Sequence, residues 1–209
     1  MKIAVIGTGS VGGTLGRAWA AKGHDVCFGV KRVADPKLQT VLEDAPGARA
    51  IEIPGALVAG EVIVLAVPFP AATAVLQSAS DLSGKIVIDC TNPLTPDFSD
   101  LSLGFSTSAA ETIAASAKGA SVFKTLNHTG YNVMAQPAFG EQKAVMFVAG
   151  DDAARKPAVL SLVADLGFEA IDTGPLRIAR LLEPLAMLWI HLALVEGQGR
   201  DFAFGLLRR

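Results

Sequence analysis

The sequence predicts an α/β fold: a doubly wound, mostly parallel sheet with a short helical appendage at the C-terminal end. Three observations predict it. Short β-branched runs alternate with helical stretches across short loops. Several runs are apolar on consecutive residues, Val62-Ile63-Val64-Leu65-Ala66-Val67 most plainly, and a strand without alternation is covered on both faces, as in a parallel sheet. From Leu176 to Arg209 the pattern turns helical and very apolar, with no strand to follow.

In chain order, the β-branched runs place strands at Lys2–Ile6, Asp25–Val30, Arg49–Ile53 and Val62–Val67, then at Lys85–Asp89, Ser121–Thr125, Ala144–Ala149 and Phe168–Asp172. Between them fall helices at Val11–Lys22, Pro36–Glu43, Pro70–Ser78, Ser108–Ala117 and Ala153–Leu166, and a last long one begins near Pro175. No repeat or linker interrupts this order, so residues 1–175 read as one domain and 176–209 as a C-terminal helical appendage.

Composition narrows the function. The chain has 209 residues, 51% of them hydrophobic, which suits one well-buried core and excludes disorder. Eighteen Lys and Arg against 20 Asp and Glu leave a net charge of −2, so no basic balance calls for nucleic acid or an anionic membrane. The apolar run Leu185–Val195 is about half the length of a membrane span. Cys27 and Cys90 lie in apolar runs and read as small hydrophobes, and no signal peptide is visible, so a cytoplasmic protein is expected.

The first strand leads into Gly7-Thr8-Gly9-Ser10-Val11-Gly12, a G-x-G-x-x-G turn opening a helix. Gly7 permits the tight turn, Gly9 lets a pyrophosphate approach the backbone, and Gly12 lets the helix lie close to the sheet. This context predicts dinucleotide binding. The second strand then decides the cofactor. An NAD site has an acid near its end for the ribose 2′-hydroxyl, whereas this strand ends Val30-Lys31-Arg32. Two cations and no acid predict NADP(H), with Arg32 forking onto the 2′-phosphate.

Val67, Pro68 and Phe69 follow the fourth strand and form an apolar shelf for the nicotinamide ribose and ring. Asn92 and Asn127 end later strands at the same rim, where they can contact ribose or substrate; Asn92-Pro93 is also a turn signal. His128 stands beside them as a polar loop residue or general acid. His24 falls in a surface turn, and His191 in the tail reads as a core histidine or a pocket-lining one. No metal-ligand spacing and no nucleophile motif are present. No catalytic acid–base pair is therefore assigned, which points to hydride transfer between cofactor rings, where alignment and water exclusion dominate.

These residues resemble the F420-dependent NADP oxidoreductase family. The glycine turn carries the resemblance, with Gly29-Val30-Lys31-Arg32, Ala66-Val67-Pro68, Phe123-Lys124-Thr125-Leu126-Asn127 and Ala149-Gly150-Asp151-Asp152. Asp172-Thr173-Gly174-Pro175-Leu176 and Arg180-Leu181-Leu182-Glu183 extend it over nearly the whole chain. The resemblance implies a Rossmann domain, bound NADP(H), and hydride exchange with the 8-hydroxy-5-deazaflavin coenzyme F420. It places the pyrophosphate on Thr8, Gly9, Ser10 and Val11, and the 2′-phosphate on Val30, Lys31 and Arg32. Where the founding pattern has a small hydroxyl residue and two arginines, this chain has Val30-Lys31-Arg32. The Asn127–Met134 segment is more similar to the bacterial branch of predicted dinucleotide-binding enzymes.

Three functions follow as expectations. The first is hydride transfer between NADPH and a deazaflavin or flavin-like acceptor. The second is NADPH-dependent reduction of a small carbonyl or imine, and the third a non-enzymatic NADP-sensing module. Pro184 is expected to start or kink the last helix. From Leu185 onward that helix is apolar all round, so it is expected to bury one side on its own domain and the other on a second copy, as a homodimer.

Overall fold

The computed structural model describes residues 1–209, the side chain of Lys37 excepted. The first half runs β1 (Lys2–Ile6), α1 (Ser10–Ala21), β2 (Asp25–Val30), α2 (Pro36–Glu43), β3 (Arg49–Glu52), α3 (Ile53–Ala59), β4 (Val62–Leu65) and α4 (Phe69–Gln77). The second continues with β5 (Ile86–Asp89), α5 (Ala109–Ser116), β6 (Ser121–Lys124), α6 (Tyr131–Ala135), β7 (Ala138–Phe139) and β8 (Gln142–Lys143). It ends with β9 (Val145–Gly150), α7 (Lys156–Asp165), β10 (Glu169–Asp172) and α8 (Ala179–Ile190). A 3-10 turn, Leu176–Ile178, precedes α8, and a π-helical turn, His191–Val195, follows it.

Eight strands form one sheet in the order β10-β9-β6-β5-β4-β1-β2-β3. Every pairing is parallel except β6 with β9, where Phe123 faces Gly150 and Lys124 faces Ala149. The reversal arises because α6 and the β7–β8 hairpin join β6 to β9 without a crossover. The order turns back between β1 and β4, which opens a crevice at the carboxyl ends of the strands.

Alternate residues of each strand feed two cores. Val5, Phe28, Val64 and Phe123 pack with Trp19, Leu162 and Val163 on one face. Ala4, Ile6, Ile63 and Leu65 pack with Leu57, Leu76 and Ile113 on the other. The doubly wound, mostly parallel architecture is the one expected. Sequence patterning overlooked α3, because Pro54-Gly55 reads as a break, although a proline in a first helical turn loses no hydrogen bond. It also overlooked α6 and the two-residue strands, which are too short to show a period.

Pro184 neither starts nor ends the last helix. α8 begins at Ala179 and runs through Pro184. The buried Ala179, Leu182, Glu183, Ala186 and Trp189 hold the helix on both sides of the proline and offset its missing N–H. The stretch Leu176–Val195, 20 residues, is long and apolar enough to cross a membrane, unlike the shorter run read from the sequence. Its packing argues for a docked element instead: Trp189 Nε1 donates to the Phe202 carbonyl, and Glu183 is ion-paired inside the domain.

Candidate active site

The glycine turn shows why its residue types are needed. Gly7 has φ of +105°, and a Cβ there would lie 2.5 Å from the Ala66 carbonyl oxygen. A Cβ on Gly12 would lie 2.1 Å from the Gly7 oxygen, so α1 could not approach the turn. Gly9 differs: a Cβ would meet nothing within 4 Å. Open space therefore faces the backbone where a pyrophosphate is expected. Gly9 is also the N-cap of α1 and makes no side-chain cap, so the first-turn N–H groups are directed at that space.

Beside the turn lies a cavity of about 340 Å3. Gly7 and Thr8 form one wall; Gly29, Val30, Lys31 and Arg32 at the end of β2 form another; Val67 and Pro68 face them. Lys31 and Arg32 are exposed, and among the described residues neither has an ion-pair partner. Uncommitted cations at this place suit a phosphate dianion. Sequence reasoning missed Asp35, Leu38, Ile53, Ala71 and Val75, which complete the lining. Asp35 comes from the loop before α2 and the others from α2, α3 and α4, and only the fold brings them to the rim.

Not every expected residue reaches this cavity. Phe69, assigned to the shelf, is not among the lining residues; it is half-buried and packs against the core at the start of α4. Val11 packs against the other core, so only its backbone remains for a ligand. Val67 and Pro68 share the cavity with Lys31 and Arg32. Ser10 borders a neighbouring cavity with Thr8 and Gly9.

Asn92 and Asn127 meet at the ends of β5 and β6. Asn92 Nδ2 donates to the Asn127 carbonyl at 2.8 Å, and Asn127 Nδ2 donates to Asn92 Oδ1 and to the Leu182 carbonyl of α8, both at 3.0 Å. These donors tie two strand ends to the tail. Asn127 Oδ1 is buried and has no hydrogen-bond partner among the described residues.

The three histidines stand in different surroundings. His128 is 2% exposed, not a free polar loop residue. Its Nε2 accepts the Phe147 N–H at 3.2 Å, and burial pushes its pKa down to about 4, so it is a neutral acceptor. His191 is not in the core: it is exposed, 3.3 Å from Glu196, and lines a groove with Leu101, Phe105, Pro184, Met187 and Leu188. His24 lies in the turn before β2, and its Nε2 is 3.0 Å from Asp165 Oδ2. Cys27 and Cys90 are both free.

Beneath the rim lies an ionic cluster that sequence reasoning did not anticipate. Lys124 Nζ lies 2.9 Å from Asp89 Oδ2 and 2.9 Å from Glu183 Oε1, with all three side chains fully buried. Glu183 also accepts the N–H groups of Ala109 and Ala110, which begin α5. The helix N-terminus thus offsets the second carboxylate. A lysine among Val122 and Phe123 gave no sequence signal of a buried pair.

An open parallel sheet, a glycine turn at a helix N-terminus and cations closing the second strand define a dinucleotide-dependent oxidoreductase. Comparison with known proteins agrees. Residues 2–93 match the family profile described as NADP oxidoreductase, coenzyme F420-dependent. A structure from Arthrobacter sp. FB24, named for F420-dependent NADP reduction, is 31% identical over the whole of both chains, with a TM-score of 0.87. A hypothetical protein from Sinorhizobium meliloti is 28% identical over 86% of this chain and 88% of its own, with a TM-score of 0.76. A reductive aminase from Aspergillus terreus, solved with NADPH and ethyl levulinate, shares the fold at 22% identity and a TM-score of 0.72. This chain spans 94% of itself but only 62% of that enzyme. The chain belongs to the F420-dependent NADP oxidoreductase family. It is an NADP-dependent oxidoreductase.

Proposed function

We propose that the protein moves hydride between NADPH and a flat deazaflavin or flavin ring, with coenzyme F420 as the first candidate acceptor. The cavity beside the glycine turn carries the cofactor half of this reading, because Lys31 and Arg32, which have no ion-pair partner among the described residues, line it together with Gly7 and Thr8. When bound there, the nicotinamide supplies the hydride. The turn from Gly7 to Gly12 holds the diphosphate. Val30, Lys31 and Arg32 hold the 2′-phosphate, and Val67 and Pro68 support the ribose and ring. Asn127 Oδ1 is a buried acceptor suited to a carboxamide N–H, in a position that Asn92 fixes.

The acceptor half rests on the family and on the neutral, inward-facing His128. With no proton donor assigned at the rim, an acceptor ring that takes hydride directly fits better than a carbonyl needing protonation. The rival reading, reduction of a small imine or carbonyl, draws on the reductive aminase fold alone.

Residues 1–175 serve in this reading as the NADP-binding domain. Residues 176–209 form an appendage that dimerises the protein and walls the crevice. Leu181 is 64% and Leu188 48% exposed on the outer side of α8, an apolar stripe suited to a second copy. Two free cysteines suit a reducing cytoplasm. An acceptor panel of F420, flavins, quinones, ferric chelates and small carbonyls with NADPH tests the function. Fastest oxidation with a tricyclic ring supports it; turnover with carbonyls alone overturns it.

A further inference from the structure

A second cavity, of about 250 Å3, shares Thr8 with the first and is lined by Gly9, Ser10 and Gly13 of the turn and helix. Tyr131, the first residue of α6, faces them. Arg17, also in the lining, is committed to Asp44 at 2.6 Å. An anion held here would depend on backbone N–H groups and on the hydroxyls of Thr8, Ser10, Thr14, Thr40 and Tyr131, since the Asp44 carboxylate in the same lining is engaged by Arg17.

Tyr131 is the single tyrosine of the chain and is 40% exposed. Among the described residues its hydroxyl has no hydrogen-bond partner, yet its position is tightly set. α6 packs against α1. A Cβ on Gly130 would lie 2.5 Å from Asn132 Oδ1 and 2.9 Å from Trp189 Cη2, so no side chain fits there. Asn132 Nδ2 donates to the Arg200 carbonyl at 2.8 Å and to Asp201 Oδ1 at 3.1 Å. Trp189 stacks on Phe202 with ring centroids 5.3 Å apart. The C-terminal segment therefore packs on α6 and sets a partly exposed phenol beside the glycine turn.

From this juxtaposition we infer that Tyr131 is a diphosphate-positioning residue: its hydroxyl donates to a diphosphate oxygen of the dinucleotide, and the C-terminal segment sets its place. The inference rests on the cofactor site proposed above. Because the diphosphate is common to NADPH and NADH, Tyr131 acts on both, whereas Lys31 and Arg32 act on the 2′-phosphate alone.

The test titrates NADPH, NADH and adenosine 2′-monophosphate into the wild type, Tyr131→Phe and Arg32→Ala. Tyr131→Phe is expected to weaken both dinucleotides about tenfold, the scale of one hydrogen bond to a charged group, and to leave adenosine 2′-monophosphate unchanged. Nitration of Tyr131 by tetranitromethane, read by peptide mass, gives a readout independent of activity. NADP+ should protect the ring and adenosine 2′-monophosphate should not. If Arg32→Ala weakens NADPH while Tyr131→Phe binds it within about twofold of the wild type, this inference fails and the cofactor site stands. Equal nitration with and without saturating NADP+ overturns it as well. A wild type that binds neither dinucleotide overturns the site and this inference together.

Discussion

Lys124 Nζ and Glu183 Oε1 lie 2.9 Å apart, and this ion pair joins the end of β6 to the middle of α8. Asp89 holds the other side of the ammonium, and the α5 N-terminus holds the other side of Glu183. The tail is thus fastened to the sheet directly beneath the crevice by buried charge. Replacing Lys124 by Met strands two carboxylates in the core, and breaking such a pair costs about 3–5 kcal/mol. Chemical denaturation of Lys124→Met should show that loss. A loss under about 1 kcal/mol would mean that water reaches the cluster.

The same cluster sets an alkaline limit. Burial pulls the Lys124 pKa down, but Asp89 and Glu183 outweigh burial and hold it above the ordinary lysine value. A group whose pKa is raised on folding contributes stability that is present below the unfolded pKa and lost as pH rises through the folded one. Stability should fall in strongly alkaline solution, and Lys124→Met should flatten that fall in a thermal-melt series.

His128 acts at the other end of the scale. Its folded pKa of about 4 lies below the ordinary 6.5, so the unfolded chain takes up a proton that the folded chain refuses between these values. Stability should fall by up to about 3 kcal/mol as pH drops through this window. His128→Gln should remove most of that slope in denaturation curves. The same neutrality predicts no His128 step in the pH–rate profile of hydride transfer, and a transfer rate for the variant within about tenfold of the wild type.

Cofactor choice tests the end of β2. Arg32→Ala should weaken NADPH at least about tenfold and leave NADH nearly unchanged, because a charge-assisted hydrogen bond contributes about 1.5–3 kcal/mol. Fluorescence titration of both cofactors reads this. An equal loss for both would place Arg32 away from the 2′-phosphate.

Assembly is best tested on the outer face of α8. Trp189 is unsuited to that test, because its indole is buried and bonded within its own subunit, so Trp189→Glu should unfold the protein. Leu188 is exposed, and Leu188→Glu should shift a species near twice 21.6 kDa to the monomer in sedimentation while the fold persists.

The legible parts of this fold are those where one residue type answers one physical demand. Gly7 and Gly12 are forced by backbone contacts, and Val62–Leu65 by burial on two faces. Lys31 and Arg32 are legible as charges at a strand end. Phe69 is absent from the cavity lining, and adjacency in sequence does not say which way a first helical residue points. Lys124, Glu183 and Tyr131 were overlooked because their partners lie far along the chain, and no local period marks such a pairing.

The central claim is direct hydride transfer from NADPH to a deazaflavin ring. The most direct measurement is a single turnover of C4-deuterated NADPH with coenzyme F420 in ordinary water, with the product analysed by mass and NMR. Deuterium is expected on the ring carbon of reduced F420, with a deuterium effect on the rate, both unchanged in His128→Gln. Reduced F420 without the label, or NADPH that is oxidised only when a small imine or carbonyl is supplied, would contradict it.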